Sequence, residues 1–122
     1  MESLSNFQQL DTWKQAHQLV LAIYRATRSH PADERFGLVQ QMRRAAVSVP
    51  ANVAEGFKRQ GIQDKLRFYN ISEGSLEELK YYLILSRDLE YTSAELDIQL
   101  TEQAELVGRL LNGLIASTER RR

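Results

Sequence analysis

Apolar residues recur every three or four positions along four stretches of this chain, and nowhere do they alternate over a strand's length. That spacing is the period of an α-helix, which gathers such residues onto one stripe. With no alternating β-branched run to build a sheet, one arrangement remains: helices packed stripe to stripe. The 122 residues can bury a core without disulfides or metal. We read one domain over residues 1–122, with frayed ends at about 1–9 and 118–122.

The first stretch runs from about Asp11 to Arg28, with Trp13, Ala16, Val20, Ile23, Tyr24 and Thr27 on its stripe. Asp11 or Thr12 is expected to cap it. SHPADERFG then breaks the pattern with a proline and a glycine. The second stretch runs from about Leu38 to Arg59 and contains Pro50. A proline there removes one N–H and crowds the Ala46 carbonyl, at about 3 kcal/mol. The apolar arc of Val39, Met42, Ala46, Val49, Val53 and Phe57 nevertheless continues across it. One kinked helix is therefore expected, ended by Gly61.

The third stretch, from about Gln63 to Leu89, carries two apolar arcs. Tyr69, Leu76, Leu79 and Leu83 form one; Ile71, Tyr82, Leu85 and Leu89 form another, displaced by roughly a third of a turn. One core cannot easily cover both, so the second arc is expected to meet another subunit. The fourth stretch follows YTSAE, where Thr92 or Ser93 caps it. Its stripe holds Leu96, Leu100, Ala104, Val107, Leu110, Leu111 and Leu114 and ends near Ser117. The expected fold is all-α: a left-handed, antiparallel, up-down-up-down four-helix bundle with a proline-kinked second helix.

The chain has no cysteine, which excludes disulfides, thiolate zinc sites and thiol nucleophiles. No run of about 18 apolar residues is present, so no membrane span is expected. MESLSNFQQLD lacks the regions of a signal peptide, and cytoplasmic residence follows as the default. Net charge is zero but unevenly spread. Gln40 to Asn70 holds six basic and two acidic residues, whereas Ile71 to Glu105 holds two basic and nine acidic. The stretch after Leu106 is basic again, through Arg120, Arg121 and Arg122. Opposed patches suit protein–protein contact at least as well as nucleic acid.

Catalytic motifs are missing. There is no phosphate loop, no G-x-G-x-x-G and no Glu-x-x-His for a carboxylate-bridged metal centre. Neither catalysis nor a cofactor is expected. His17 reads as a core or boundary histidine, and His30, before Pro31, as an exposed loop residue. What stands out is polar: Arg44, Ser48, Asn52, Glu55, Gly56 and Arg59 share the second arc of the second helix. Gly74, Ser75 and Glu78 lie on one side of the third, where Gly56 and Gly74 would let backbones approach. As a structural seam, Arg44 or Arg59 would pair with Glu55 or Glu78, and Asn52 would serve backbone groups freed by Pro50. As a surface, Arg43, Arg44, Lys58, Arg59, Lys65 and Arg67 would form a nucleic-acid patch, with Tyr69, Tyr81 and Tyr82 for stacking. Both readings stay open at this level. An enzyme built on Glu55, Asn52 and Ser48 would need a pocket around them.

Four segments carry a family resemblance: Phe36-Gly37-Leu38, Gln41-Met42-Arg43-Arg44-Ala45, Ser48-Val49-Pro50-Ala51-Asn52-Val53-Ala54-Glu55-Gly56 and Gly74-Ser75-Leu76-Glu77-Glu78-Leu79. Leu10, Trp13, Ala16 and Ile23-Tyr24 fit the opening helix. Together they resemble the bacterial four-helix-bundle protein family, also known as the 23S rRNA intervening-sequence protein family. The resemblance implies four-helix subunits assembled as ring-shaped pentamers. Some members are encoded within intervening sequences of 23S rRNA genes. Related bundles serve diversity-generating retroelements, where a basic barrel binds reverse transcriptase and nucleic acid; this chain departs from them in being neutral. The expected function is that of a non-enzymatic, ring-forming interaction protein docking a protein or nucleoprotein partner. A nucleic-acid-binding accessory factor is the alternative.

Overall fold

The computed structural model describes residues 4–121. A 3-10 turn, Phe7–Gln9, leads into α1 (Asp11–Thr27); a second 3-10 turn, Ala32–Glu34, leads into α2 (Leu38–Lys58). α3 (Ile62–Asp88) and α4 (Ala94–Glu119) complete the order, and no strand forms among the described residues. The expected frayed ends include residues 1–3 and 122, which lie outside the described residues.

The caps differ in part from expectation. Leu10, not Asp11 or Thr12, stands at the N-cap of α1 and makes no side-chain bond there. Asn6 instead caps the preceding turn in a reciprocal box with Gln9. Thr12 is buried and donates to the Leu110 carbonyl on α4. Its hydroxyl thus ties two helices together. Ser93 does cap α4, accepting from the Leu96 N–H at 3.1 Å.

Each helix packs on its chain neighbours, and α1 closes against α4. Among the described residues no helix packs across a diagonal, so the four stand in a square. The core is the sum of the apolar stripes. Leu19 and Ile23 of α1, Met42 and Val49 of α2, Leu79 of α3 and Val107 of α4 are all at most 1 % exposed. Burying each such side chain contributes about 1.5–3 kcal/mol. α2 runs without a break through Pro50, which is itself buried. Successive α2–α3 contacts pair Met42 with Ser86, Ser48 with Ser75, Val49 with Ser72 and Gly56 with Lys65. As one number rises the other falls, so these two helices run in opposite senses.

The α1–α2 connection corrects one expectation. His30 is not exposed: it is 8 % exposed and sits between the end of α3 and the α3–α4 turn. Its Nε2 lies 3.1 Å from the Ser86 hydroxyl, and its ring packs edge-on against Tyr91. The Ser86 hydroxyl also donates to Met42 Sδ. The Nδ1 of the same ring is buried, with no hydrogen-bond partner in direct reach. Tyr91 in turn donates its hydroxyl to Glu34 at 3.0 Å.

Candidate functional site

In the middle of the polar arc of α2, Ser48 and Asn52 face α3. Ser48 and Ser75 share a hydrogen bond of 2.7 Å. The Asn52 side-chain amide donates to the Ser48 carbonyl at 2.8 Å and to the Ser48 hydroxyl at 3.0 Å. Asn52 therefore does not serve the Ala46 carbonyl that Pro50 leaves free, as expected; it adds a donor two residues further along. Below this trio Ser72 is fully buried and donates to the Val49 carbonyl at 2.8 Å.

The charged members of that arc lie outside the trio. Arg59 pairs with Glu55 at 3.1 Å, and both are about half exposed, so the pair is worth little. Arg44 is exposed. Glu78 accepts from the Tyr82 hydroxyl at 3.1 Å. Burial, then this bond to a carboxylate, pushes the Tyr82 phenol up from its ordinary value. The serine hydroxyls of this seam meet other hydroxyls and amides, with no histidine or carboxylate base in reach.

The two glycines part company. A Cβ on Gly56 would stand 2.5 Å from the Tyr69 ring, so this is a true close approach. Gly74 faces open space and lines the α3–α4 cleft, not the α2–α3 contact. Residues 74 and 75 are one 100° step apart, and that step separates the two neighbours.

The six cations do not form one patch. Arg43 turns toward α1: its Nε donates to the Thr27 hydroxyl at 3.0 Å, and its guanidinium lies 4.5 Å from the centre of the Tyr24 ring. Lys58, Arg59, Lys65 and Arg67 gather instead at the α2–α3 turn. Lys65 donates to the Phe57 carbonyl at 2.8 Å and to Gly56, closing the end of α2. Burial, with Arg121 nearby, lowers its pKa. Arg59 and Arg67 both stack on Phe68, at 4.7 and 4.6 Å from its centre. Arg67 also pairs with Asp64. Of the three tyrosines, Tyr69 belongs to the core at 2 % exposure, and burial raises its phenol. Tyr81 is exposed, and Tyr82 packs on the core edge.

Among the described residues, two uncovered apolar faces bear on the site; Tyr81, Ile84 and Ile98 are exposed outside them. On α3, Ile71 and Leu89 are 43 % and 46 % exposed, flanking Tyr82 and Leu85 at the core edge. The second lies between α1 and α2 and was missed from sequence. There a hollow of about 510 Å³ includes Tyr24, Phe36, Arg43 and Val47. A shallower one of about 310 Å³ continues from Val47 over Val20, His17, Trp13 and Ala51. Phe36, in the loop before α2, is 82 % exposed. Its position beside Gly37 reads as a loop break, and only the absence of anything packed over it marks it as surface. Trp13 and His17 stack at 5.0 Å along this groove, which places His17 at the boundary. Among the described residues no cluster of three or more metal-ligating side chains occurs, and no helix is long and apolar enough to cross a membrane.

The family model described as 23S rRNA-intervening sequence protein matches residues 8–113. No curated protein matches the chain. Among solved structures, a protein of unknown function from the S23 ribosomal protein family of Bacteroides thetaiotaomicron is similar, with a TM-score of 0.77 and 21 % identity. The match covers 85 % of this chain and 97 % of that one. At that identity the likeness speaks for the fold.

Proposed function

Because this chain belongs to the 23S rRNA-intervening sequence protein family, we propose that it is a non-enzymatic, self-associating subunit whose assembled surface docks a partner. In this reading the chain is one cytoplasmic domain, an up-down-up-down bundle kinked at Pro50, and its copies close into a ring. The number five rests on the family resemblance. The observation that carries the reading is the second arc of α3. Ile71 and Leu89 stand exposed, with the half-buried Tyr82 and Leu85 between them, on one side of a helix whose other side already fills the core. A lone subunit gains nothing from that arrangement, whereas a partner subunit would bury it. Mass in solution tests it: a pentamer of the 14.1 kDa chain gives about 70 kDa. Particles of 14.1 kDa at every concentration would overturn the ring.

A second reading is a nucleic-acid-binding accessory factor. It is favoured by Lys58, Arg59, Lys65 and Arg67 at one turn, with Arg121 close enough to Lys65 to weigh on its pKa. Such a site would bind structured RNA or single strands with affinity that falls steeply as salt rises. No binding at low salt would dismiss it.

A further inference from the structure

We propose that the hollow between Tyr24, Phe36 and Arg43 binds a free nucleoside diphosphate, its phosphates held by arginines and its base stacked on Phe36. Every residue of the site belongs to one chain, so the inference does not rest on self-association.

The hollow of about 510 Å³ has the size of a small-ligand site. Three guanidiniums line it: Arg35 in the loop, and Arg43 and Arg44 on α2. Arg44 stands at the rim, close enough to the Tyr82 phenol to act on it as well. No carboxylate lines the hollow, and none of the three arginines forms an ion pair among the described residues. Glu34, two residues before Phe36, is taken up by the Tyr91 hydroxyl and the Leu38 N–H. A concave site lined by charge of one sign raises the local concentration of the opposite ion.

Arg43 is already set for such an ion. Its Nε donates to the Thr27 hydroxyl at 3.0 Å, one Nη donates to the Tyr24 carbonyl at 3.4 Å, and the Tyr24 ring backs it at 4.5 Å. Two of its five N–H groups are used in this way, and three remain for phosphate oxygens. A fork held in advance loses little freedom when an anion arrives. A single phosphate group carries about −2, so three guanidiniums call for a second one.

A bare anion leaves the other wall unexplained. Phe36 is 82 % exposed, and the Arg35 guanidinium lies 5.4 Å from the centre of its ring. An open aromatic face beside cations suits a planar base joined to phosphate, because every base has a π-face to stack. The Gln40 amide, also on the wall, offers a donor and an acceptor to a base edge. A strand fits less well than a single nucleotide. Past Val47 the groove enters the shallower hollow, which no lysine or arginine lines. Successive phosphates of a strand need cations along the whole path.

The test titrates ADP, GDP, UDP and CDP separately into the full chain by calorimetry at low salt. Pyrophosphate and a short thymidine oligonucleotide serve as the other probes. At least one diphosphate should bind at one site per chain, about tenfold or more tighter than pyrophosphate. Phe36→Ala should bring the nucleotide down to the affinity of pyrophosphate and leave pyrophosphate unchanged. Arg35→Gln combined with Arg44→Gln should weaken both. These side chains are exposed, so helical circular dichroism should not change. Binding by none of the four nucleotides overturns the site, as does pyrophosphate binding equally well or Phe36→Ala having no effect. An oligonucleotide that binds more tightly than every diphosphate overturns it in favour of a strand. None of these readouts is a native mass, so failure here leaves the self-associating reading to its own test.

Discussion

The ring of Tyr69 occupies the space where a side chain on Gly56 would be: a Cβ there would lie 2.5 Å from Cε1 and 2.8 Å from Cδ1. It would also stand 3.1 Å from the Lys65 carbonyl. Tyr69 is 2 % exposed and cannot swing away. Alanine in place of glycine gains about 1 kcal/mol of helix propensity. Overpacking a rigid contact costs about 1–3 kcal/mol, so the clash should win. Gly56→Ala is expected to lower the urea midpoint with an unchanged slope. Gly74→Ala meets nothing within 4 Å and should raise it, by up to about 1 kcal/mol. Equal effects from the two substitutions would refute the close approach.

Glu90 ends α3 in the left-handed region at φ 63. The Tyr91 N–H bonds the Ser86 carbonyl and the Glu90 N–H bonds the Arg87 carbonyl, both at 2.9 Å. This is the Schellman pattern with glutamate at the position glycine usually fills. Glu90→Gly should therefore stabilise by about 0.5–1 kcal/mol. Glu90→Ala, which removes the carboxylate but keeps the strained φ, should give no gain. Thermal melts of both variants decide it.

The sequence carries the parts of this fold that depend on one helix at a time. Val39, Met42, Ala46, Val49 and Val53 share a stripe by periodicity alone, and all five are buried. Pro50 does not hide the continuity of α2, because the stripe on both sides keeps phase. What sequence hides depends on rotation and on distant partners. Gly74 and Ser75 are neighbours in the chain, yet one lines the α3–α4 cleft and the other meets Ser48. His30 follows a serine and precedes a proline, an exposed setting by local rules; Ser86 and Tyr91, on distant elements, bury it. The cations of α2 look like one patch in one dimension, but Arg43 and Lys58 lie about four turns apart, and Arg43 is held on α1.

That separation has a measurable consequence. Arg43 holds the Thr27 hydroxyl and the Tyr24 ring, so Arg43→Glu should not leave stability intact, as a free surface residue would. It should cost about 1–2 kcal/mol, from a charge-assisted hydrogen bond and a cation–π contact. Lys58→Glu, at an exposed position in the last turn of α2, loses at most about 1 kcal/mol through the helix dipole. If the α2–α3 turn binds nucleic acid, Lys58→Glu should flatten the salt dependence by about one phosphate contact, and Arg43→Glu should leave it unchanged. Titrations of labelled RNA at several salt concentrations check this. A salt slope lowered by Arg43→Glu alone would move the site to the α1–α2 side.

The buried imidazole of His30 makes stability depend on pH. Burial holds its pKa below the ordinary 6.5, and Arg43 pushes the same way. The Ala26 carbonyl and the Glu34 carboxylate pull upward without overcoming burial. The unfolded chain therefore takes up a proton at 6.5 that the folded chain still refuses. Where the unfolded state binds more protons, stability rises with pH. His30 thus adds its full share of stability above about pH 6.5, and this is lost as pH falls toward the lowered folded value. Protonation would also put a charge on a ring whose Nδ1 is buried. Urea midpoints measured between pH 7.5 and 5.5, before carboxylates titrate in about the pH 4 range, should fall for the unaltered chain and stay flat for His30→Gln. Parallel curves for the two chains would show that the imidazole does not titrate against burial, and a midpoint that rises on acidification would reverse the sign of the argument.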